Sequence, residues 1–260
     1  MPDAVTARTL RVAALYPDRL NIYADRGNLL VLQRRCAWRG IGFELTSRTI
    51  GDPLDPDAHD LLYLGGGQDR DQQLCAEDLV ASKRDAVHAH ADRGGAILAV
   101  CGGYQLLGHH YALGPDRSLP GVGLLDLHTD RGDGRLIGNV AIEVRLPRPG
   151  AADGALMEPR TLAGFENHGG RTILAPGQAP LGRVLSGHGN TGSSGQEGAR
   201  RDNVIGTYLH GPLLPKNAWL ADWLIATALG IDGDALAPLD DTLEDGAHRS
   251  ARRAARVDGR

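Results

Sequence analysis

Apolar and polar positions alternate in two different periods along the chain, and the change of period falls near its middle. Leu10 to Leu15 reads as a short buried strand, and Leu29, Leu30, Leu32, Gln33, Cys36 and Ala37 follow at helical spacing until Gly40 ends the run. Gly42 to Ile50 predicts a second strand, Pro53 to Asp60 a loop, and Asp60 to Leu64 a third strand that stops at Gly65-Gly66-Gly67. A long polar helix, about Asp69 to Arg93, precedes Ala96 to Val100, an all-apolar run of the kind buried on both faces of a parallel sheet. Gly102-Gly103 then opens a helix over Tyr104 to Gly108. Strands alternating with helices predict a doubly wound, mostly parallel α/β sheet, with its ligand crevice beyond the carboxyl ends of the strands. Both glycine-rich turns fall on that side.

From Gly121 the pattern shifts to short strands, Leu136 to Leu146, Leu162 to Asn167 and Gly182 to Ser186, which predict a β-rich extension rather than a second domain. Ser186 to Arg201, rich in Gly, Ser and Asn, reads as a mobile or crevice-covering loop. Asn203 to Leu209 returns as an apolar strand ending at His210-Gly211. The last clear helix has Pro215 near its first turn and Gly230 past its end, with Trp219, Leu220, Trp223 and Leu224 as a core stripe. Residues 9–231 are thereby assigned to one domain. Residues 232–260, acidic and then arginine-rich through Arg249, Arg252, Arg253, Arg256 and Arg260, read as a tail or surface helix.

Of 260 residues, 42% are hydrophobic and 23% charged, enough for a sizeable core. Lys plus Arg is 28 against 32 Asp plus Glu, a net −4 that speaks against a basic nucleic-acid grip. The longest clean apolar run, Ala96 to Cys101, is far short of the roughly 20 residues of a bilayer span. With no apolar h-region over Met1 to Arg11, the reading is a soluble, cytoplasmic protein. Three cysteines without a CxxC pair argue against disulfides and against a zinc site.

Cys101 stands apart from Cys36 and Cys75 because it lies between a buried strand and a helix opened by two glycines. That is a nucleophile-elbow pattern, in which a tight turn lifts the side chain above the sheet. A helix N-terminus favours thiolate over thiol and lowers its pKa from about 8.5 toward 3.5–7.5. The N–H of Gly102 and the bare backbone of Gly66 and Gly67 would form an oxyanion hole, a device whose single donors are worth about 10²–10³ in rate. Of ten histidines, His210 follows an apolar strand and should stand on the crevice side as general base, with His168 the rival. His88, His90, His109 and His110 lie on helical patterns.

Together, Gly65-Gly66-Gly67, Val100-Cys101-Gly102-Gly103-Tyr104-Gln105, Gly164-Phe165-Glu166-Asn167-His168 and Tyr208-Leu209-His210-Gly211 resemble the class I glutamine amidotransferases of the cobyric acid synthase type. Asn21 to Asn28 and His210 to Asn217 are similar to the glutaminase subunits of lipid II isoglutaminyl synthase, the GatD type. The resemblance implies a flavodoxin-like fold, a glutamine-derived thioester on Cys101, His210 as base, release of ammonia, and Arg135 as the residue that binds the glutamine carboxylate. Where many class I enzymes carry a glutamate two residues after the histidine, this chain has Pro212. The third triad member is then Glu166 or Asp25, or a residue from a partner, or the enzyme works as a Cys–His pair.

No G-x-x-x-x-G-K-[ST] phosphate loop occurs, so no cofactor is expected in this chain. The resemblance implies a MurT-like subunit of the Mur-ligase family as heterodimer partner. That subunit would bring ATP and magnesium and amidate the D-glutamate of the lipid II stem peptide. Ser186 to Arg201 and Pro212 to Asn217 are the candidate docking surfaces. A corrinoid amidotransferase subunit and a non-catalytic regulatory subunit are the alternatives.

Overall fold

The computed structural model describes residues 8–22, 25–151 and 154–257. Tyr23 and Ala24 of the Asn21 to Asn28 motif, and Arg260 of the tail, lie outside the described residues.

The first half follows the pattern of its apolar runs: β1 (Thr9–Leu15), α1 (Arg26–Trp38), β2 (Gly42–Arg48), β3 (Leu61–Leu64), α2 (Asp69–Asp78), α3 (Arg84–Asp92), β4 (Ala96–Val100) and α4 (Gly102–Leu107). The expected long helix from Asp69 is real, but one π-helical turn, Leu79–Lys83, separates α2 from α3. That turn brings Lys83 inward to pair with Asp78, which also accepts the Tyr16 hydroxyl.

The second half supplies β5 (His110–Gly114), β6 (Arg117–Pro120), β7 (Leu127–Val144), β8 (Arg160–Leu174), β9 (Gly182–Ser186), β10 (Gln196–Glu197), β11 (Ala199–Arg201), β12 (Val204–Thr207), α5 (Ala218–Leu229) and α6 (Thr242–Ala254). One six-stranded sheet runs β11-β12-β4-β3-β1-β2. It is parallel except for the edge strand β11. This is the doubly wound order, with β3, β4 and β12 ending side by side on the crevice edge. The other sheet, β10-β9-β7-β5-β6 with β8 on β7, is antiparallel apart from the β5–β7 pairing. A two-way backbone bridge between Phe165 and His210 joins β8 to the segment after β12, and so fastens the extension to the crevice.

Several expectations change. The strands predicted over Leu136 to Leu146 and Leu162 to Asn167 are parts of the much longer β7 and β8, which pair through a bulge between Arg131 and Leu136. Their polar residues hid them. Ser186 to Arg201 is not a free loop over the crevice, because its glycines at 187, 189, 192, 195 and 198 take positive φ and fold it into tight turns around β10 and β11. Asn190 pins those turns through both its amide atoms to the Gly198 backbone. His109 and His110 stand before and at the start of β5 rather than on a helix. Pro215 lies in a separate 3-10 turn, Leu214–Lys216, and α5 begins only after Asn217. Of the candidate docking stretch 212–217, Leu213, Leu214 and Asn217 are buried, and Pro212, Pro215 and Lys216 are half-buried.

The segment after Asp232 is fixed by charge. The fully buried Arg35 of α1 binds Asp222 of α5 and Asp241 just before α6, and Arg39 also grips Asp222. α6 then lies on β7 and β8, with His248 Nδ1 bonded to the Lys216 carbonyl.

Removing one partner of a buried pair leaves an uncompensated charge. Asp222→Ala should therefore lower unfolding free energy by about 3 kcal/mol, while Asp234→Ala, which breaks only the exposed pair with Arg148, should cost less than about 1 kcal/mol. Denaturant titration of the two variants checks the contrast.

Candidate active site

Cys101 sits at the joint of β4 and α4, with φ +50° and ψ −104°, a backbone that a non-glycine residue adopts only under strain. Its N–H donates to the Thr207 carbonyl of β12 at 2.8 Å, so the turn is clamped from the neighbouring strand. The glycines after it are needed for space. A Cβ on Gly103 would stand 2.6 Å from Leu64 Cβ and 2.8 Å from Leu64 O. One on Gly102 would stand 3.0 Å from the Gly67 nitrogen and 2.0 Å from Gln72 Nε2. Backbone from the two glycine-rich turns thus converges beside the thiol.

Gly66 is placed differently from the expectation. Its N–H donates to Asp25 Oδ2 at 2.8 Å, so it is already committed, and the oxyanion assignment narrows to Gly67 and Gly102. The His210 ring lies over Gly66, where an added Cβ would meet His210 Cε1 at 2.9 Å.

His210 is fully buried, and its Nδ1 faces Asp25 Oδ1 at 3.2 Å. Burial alone would push the imidazole pKa down. The charge and hydrogen bond of Cys101, with those of Asp25, outweigh it and raise the His210 pKa to about 10. The imidazole therefore interacts with both the Asp25 carboxylate and the Cys101 thiol. Asp25 is held from several sides, because Tyr63 Oη donates to its carbonyl and Asn28 Nδ2 donates to Tyr63 Oη. Asn28 Oδ1 in turn accepts the Leu214 N–H, which ties α1 to the segment following His210.

The other candidates belong to a different network. Glu166 Oε1 accepts from His188 N and Nδ1, and Oε2 from Gly189 N. Burial would raise its pKa, but these bonds and His168 hold it below the usual value. His168 turns Nδ1 to the Gly170 carbonyl at 2.9 Å, places Nε2 3.8 Å from Glu166, and stacks on Tyr208 with ring centroids 3.7 Å apart. Burial lowers its pKa. Of the two carboxylates left open by the sequence, only Asp25 reaches His210.

Arg135 lies at the bulge of β7 and is exposed, with Nε and Nη2 both bonded to Asn167 at 2.6 Å. The Tyr111 hydroxyl is pushed up to about 12, chiefly by burial. Sequence reading missed Tyr63, Gln72 and Glu197. It quoted Asn28, Gln105 and Tyr208 within motifs but gave them no role. Gln105 stands one helical turn after Cys101, which is the signal that could have found it. Glu197 is buried behind β12, accepting from Tyr208 N and Thr207 Oγ1, and burial raises its pKa to about 8.

Among the described residues, no group of three or more His, Cys, Asp or Glu side chains is placed to hold a metal ion, and no helix is long and apolar enough to cross a membrane.

Residues 11–218 match the CobB/CobQ-like glutamine amidotransferase domain. The chain is 36% identical over 221 residues to subunit GatD of the glutamine-hydrolysing lipid II isoglutaminyl synthase of Streptococcus pneumoniae, covering 85% of this chain and 80% of that protein. It is 37% identical over 211 residues to the GatD subunit of Staphylococcus aureus, with 81% of each covered. A probable cobyric acid synthase of Methanopyrus kandleri is 34% identical over 169 residues, which span 62% of this chain and 32% of that protein. Among solved structures, PurLQS from Thermotoga maritima shares the fold, with a TM-score of 0.55 at 19% identity over 85% of this chain and 95% of the matched one. By its matched domain and by its identity to these subunits over most of its length, the chain belongs to the CobB/CobQ-like glutamine amidotransferase family.

Proposed function

We propose that the chain hydrolyses L-glutamine through a thioester on Cys101 and passes the ammonia to an ATP-dependent partner. The observation that carries this reading is the buried His210, which faces Asp25 and interacts with Cys101 beside the Gly67 and Gly102 backbone. The Cys101 thiolate attacks the carboxamide carbon, and the oxyanion is met by the N–H groups of Gly67 and Gly102. The C–N bond breaks as the His210 imidazolium protonates the nitrogen, and ammonia leaves. The now neutral His210 takes a proton from water as its oxygen attacks the thioester. The C–S bond then breaks, giving glutamate, the thiolate and the imidazolium. Asp25 keeps the ring oriented and favours its charged form, while Arg135 binds the substrate α-carboxylate through its guanidinium fork.

Ammonia cannot displace oxygen from an unactivated carboxylate. The similarity to the GatD subunits supports a MurT-like partner of the Mur-ligase family as the place where ATP and magnesium activate the acceptor, the D-glutamate of the lipid II stem peptide, at the cytoplasmic face of the membrane. The corrinoid alternative is supported by matches that span only about a third of those synthases, as with the 32% of the Methanopyrus protein.

The purified chain with glutamine, ATP, magnesium and lipid II should yield glutamate but no amidated lipid, and adding the Mur-ligase-like subunit should yield both. Cys101→Ala should abolish ammonia release in either mixture, and amidated product from the single chain would overturn the reading. His210→Ala should lose far more turnover than His168→Ala, measured as kcat.

The raised His210 pKa predicts a pH profile. Because the imidazolium is the proton donor to the leaving nitrogen, kcat/KM should fall on the alkaline side as pH passes about 10. Asp25 helps raise that pKa, so Asp25→Asn should move the alkaline limb to lower pH. An unmoved limb would remove Asp25 from the role.

Arg135→Lys and Arg135→Ala should both raise the KM for glutamine, because an ammonium does not reproduce a bidentate contact. Steady-state kinetics with unchanged KM would return Arg135 to a loop residue bonded only to Asn167.

A further inference from the structure

α2 turns one side chain toward the reacting centre that the mechanism above does not use. Gln72 is 2% exposed, and its Nε2 donates to Gln105 Oε1 at 3.0 Å. Gln105 Nε2 donates onward to Tyr208 Oη at 3.1 Å, and Tyr208 Oη meets Thr172 Oγ1 at 2.6 Å, which meets Thr129 Oγ1 at 2.8 Å. In this arrangement the nitrogen of the Gln72 amide is used, and its oxygen is left over. Gln72 Oε1 is buried without a hydrogen-bond partner among the described residues. Buried acceptors are nearly always satisfied, and one that is not calls for a donor supplied by something else.

The Gln72 side chain borders the cysteine turn. The Gln72 amide lies against Gly102, where a Cβ would stand 2.0 Å from Nε2, and Gln72 Cγ is 3.7 Å from a Cβ built on Gly67. Those are the two residues assigned to the oxyanion. A carboxamide whose oxygen faces their N–H groups also presents an NH₂ with two donors and no strong acceptor, whereas the ionised product, glutamate, presents acceptors only. We propose that Gln72 Oε1 accepts an N–H of the bound glutamine carboxamide, so that the site recognises the nitrogen that leaves as ammonia and disfavours the carboxylate product. This rests on the assignment of Cys101, Gly67 and Gly102 made above.

The test compares two substrates in one preparation: L-glutamine, and L-glutamate γ-methyl ester, which has no amide N–H. The ratio of their kcat/KM values is independent of the fraction of active protein. Gln72→Met, which keeps the length of the side chain and removes the acceptor, should lower the glutamine-to-ester ratio about tenfold, the worth of one neutral hydrogen bond. If both substrates lose activity equally, Gln72 only shapes the site and the inference is overturned, as it is by an unchanged ratio. Should Gln72→Met fail to fold, Gln72→Asn withdraws the oxygen from the site and is read by the same ratio. Cys101→Ala, assayed in parallel, separates this from the reading beneath it. Retained hydrolysis there sinks the cysteine mechanism, whereas a normal ratio in the Gln72 variants with an inactive Cys101→Ala sinks only the role of Gln72.

Discussion

Asp25, His210 and Cys101 bring a carboxylate, an imidazole and a thiol together with almost no exposure to water, and charges so buried persist only if they compensate one another. The Asp25 carboxylate does this in two directions. Oδ1 faces the imidazole, and Oδ2 takes the Gly66 N–H. One side chain therefore sets both the imidazole and the glycine loop that carries Gly67. On the proposed mechanism, displacing it would disturb proton transfer and the oxyanion contacts together, and the network around Asp25 through Tyr63 and Asn28 holds it in place.

The fold exists around that convergence. β3 delivers the glycine turn, β4 the strained cysteine, and β12 the histidine, each from the carboxyl end of a parallel strand. Parallel strands put these ends on one edge, which is why doubly wound sheets bind ligands there. Asp25 arrives from the turn that enters α1. The antiparallel extension then fixes the open side, because the Phe165–His210 bridge holds the histidine while the same strand, two residues on, carries the Asn167 that anchors Arg135.

What could be read in the sequence was what is local. β4 and β9 occupy the residues expected, and Cys101 was singled out because an apolar strand, a cysteine and two glycines are adjacent in the chain. β7 and β8 were underestimated because Leu127 to Arg131 and Gly170 to Leu174, beyond a bulge, look like loop while pairing as strand. Asp25 could be named as one of two carboxylates but not chosen, since it meets His210 across a separation of 185 residues. The commitment of the Gly66 N–H and the burial of Gln72 were beyond reach for the same reason. Both depend on which turns meet in space, and a polar residue on a polar helix gives no sign of the face it presents.

The account stands or falls on Cys101 being the thiol that meets the glutamine carboxamide, and a chloroketone built on the glutamine skeleton measures this directly. Cys36 and Cys75 are buried, and burial pushes both thiols up to about 12, so neither should compete. Peptide mass spectrometry should find one equivalent on Cys101, formed more slowly when glutamine is present, with loss of ammonia release in proportion to labelling. Labelling of Cys36 or Cys75 at a comparable rate, or hydrolysis that survives full modification of Cys101, would contradict it.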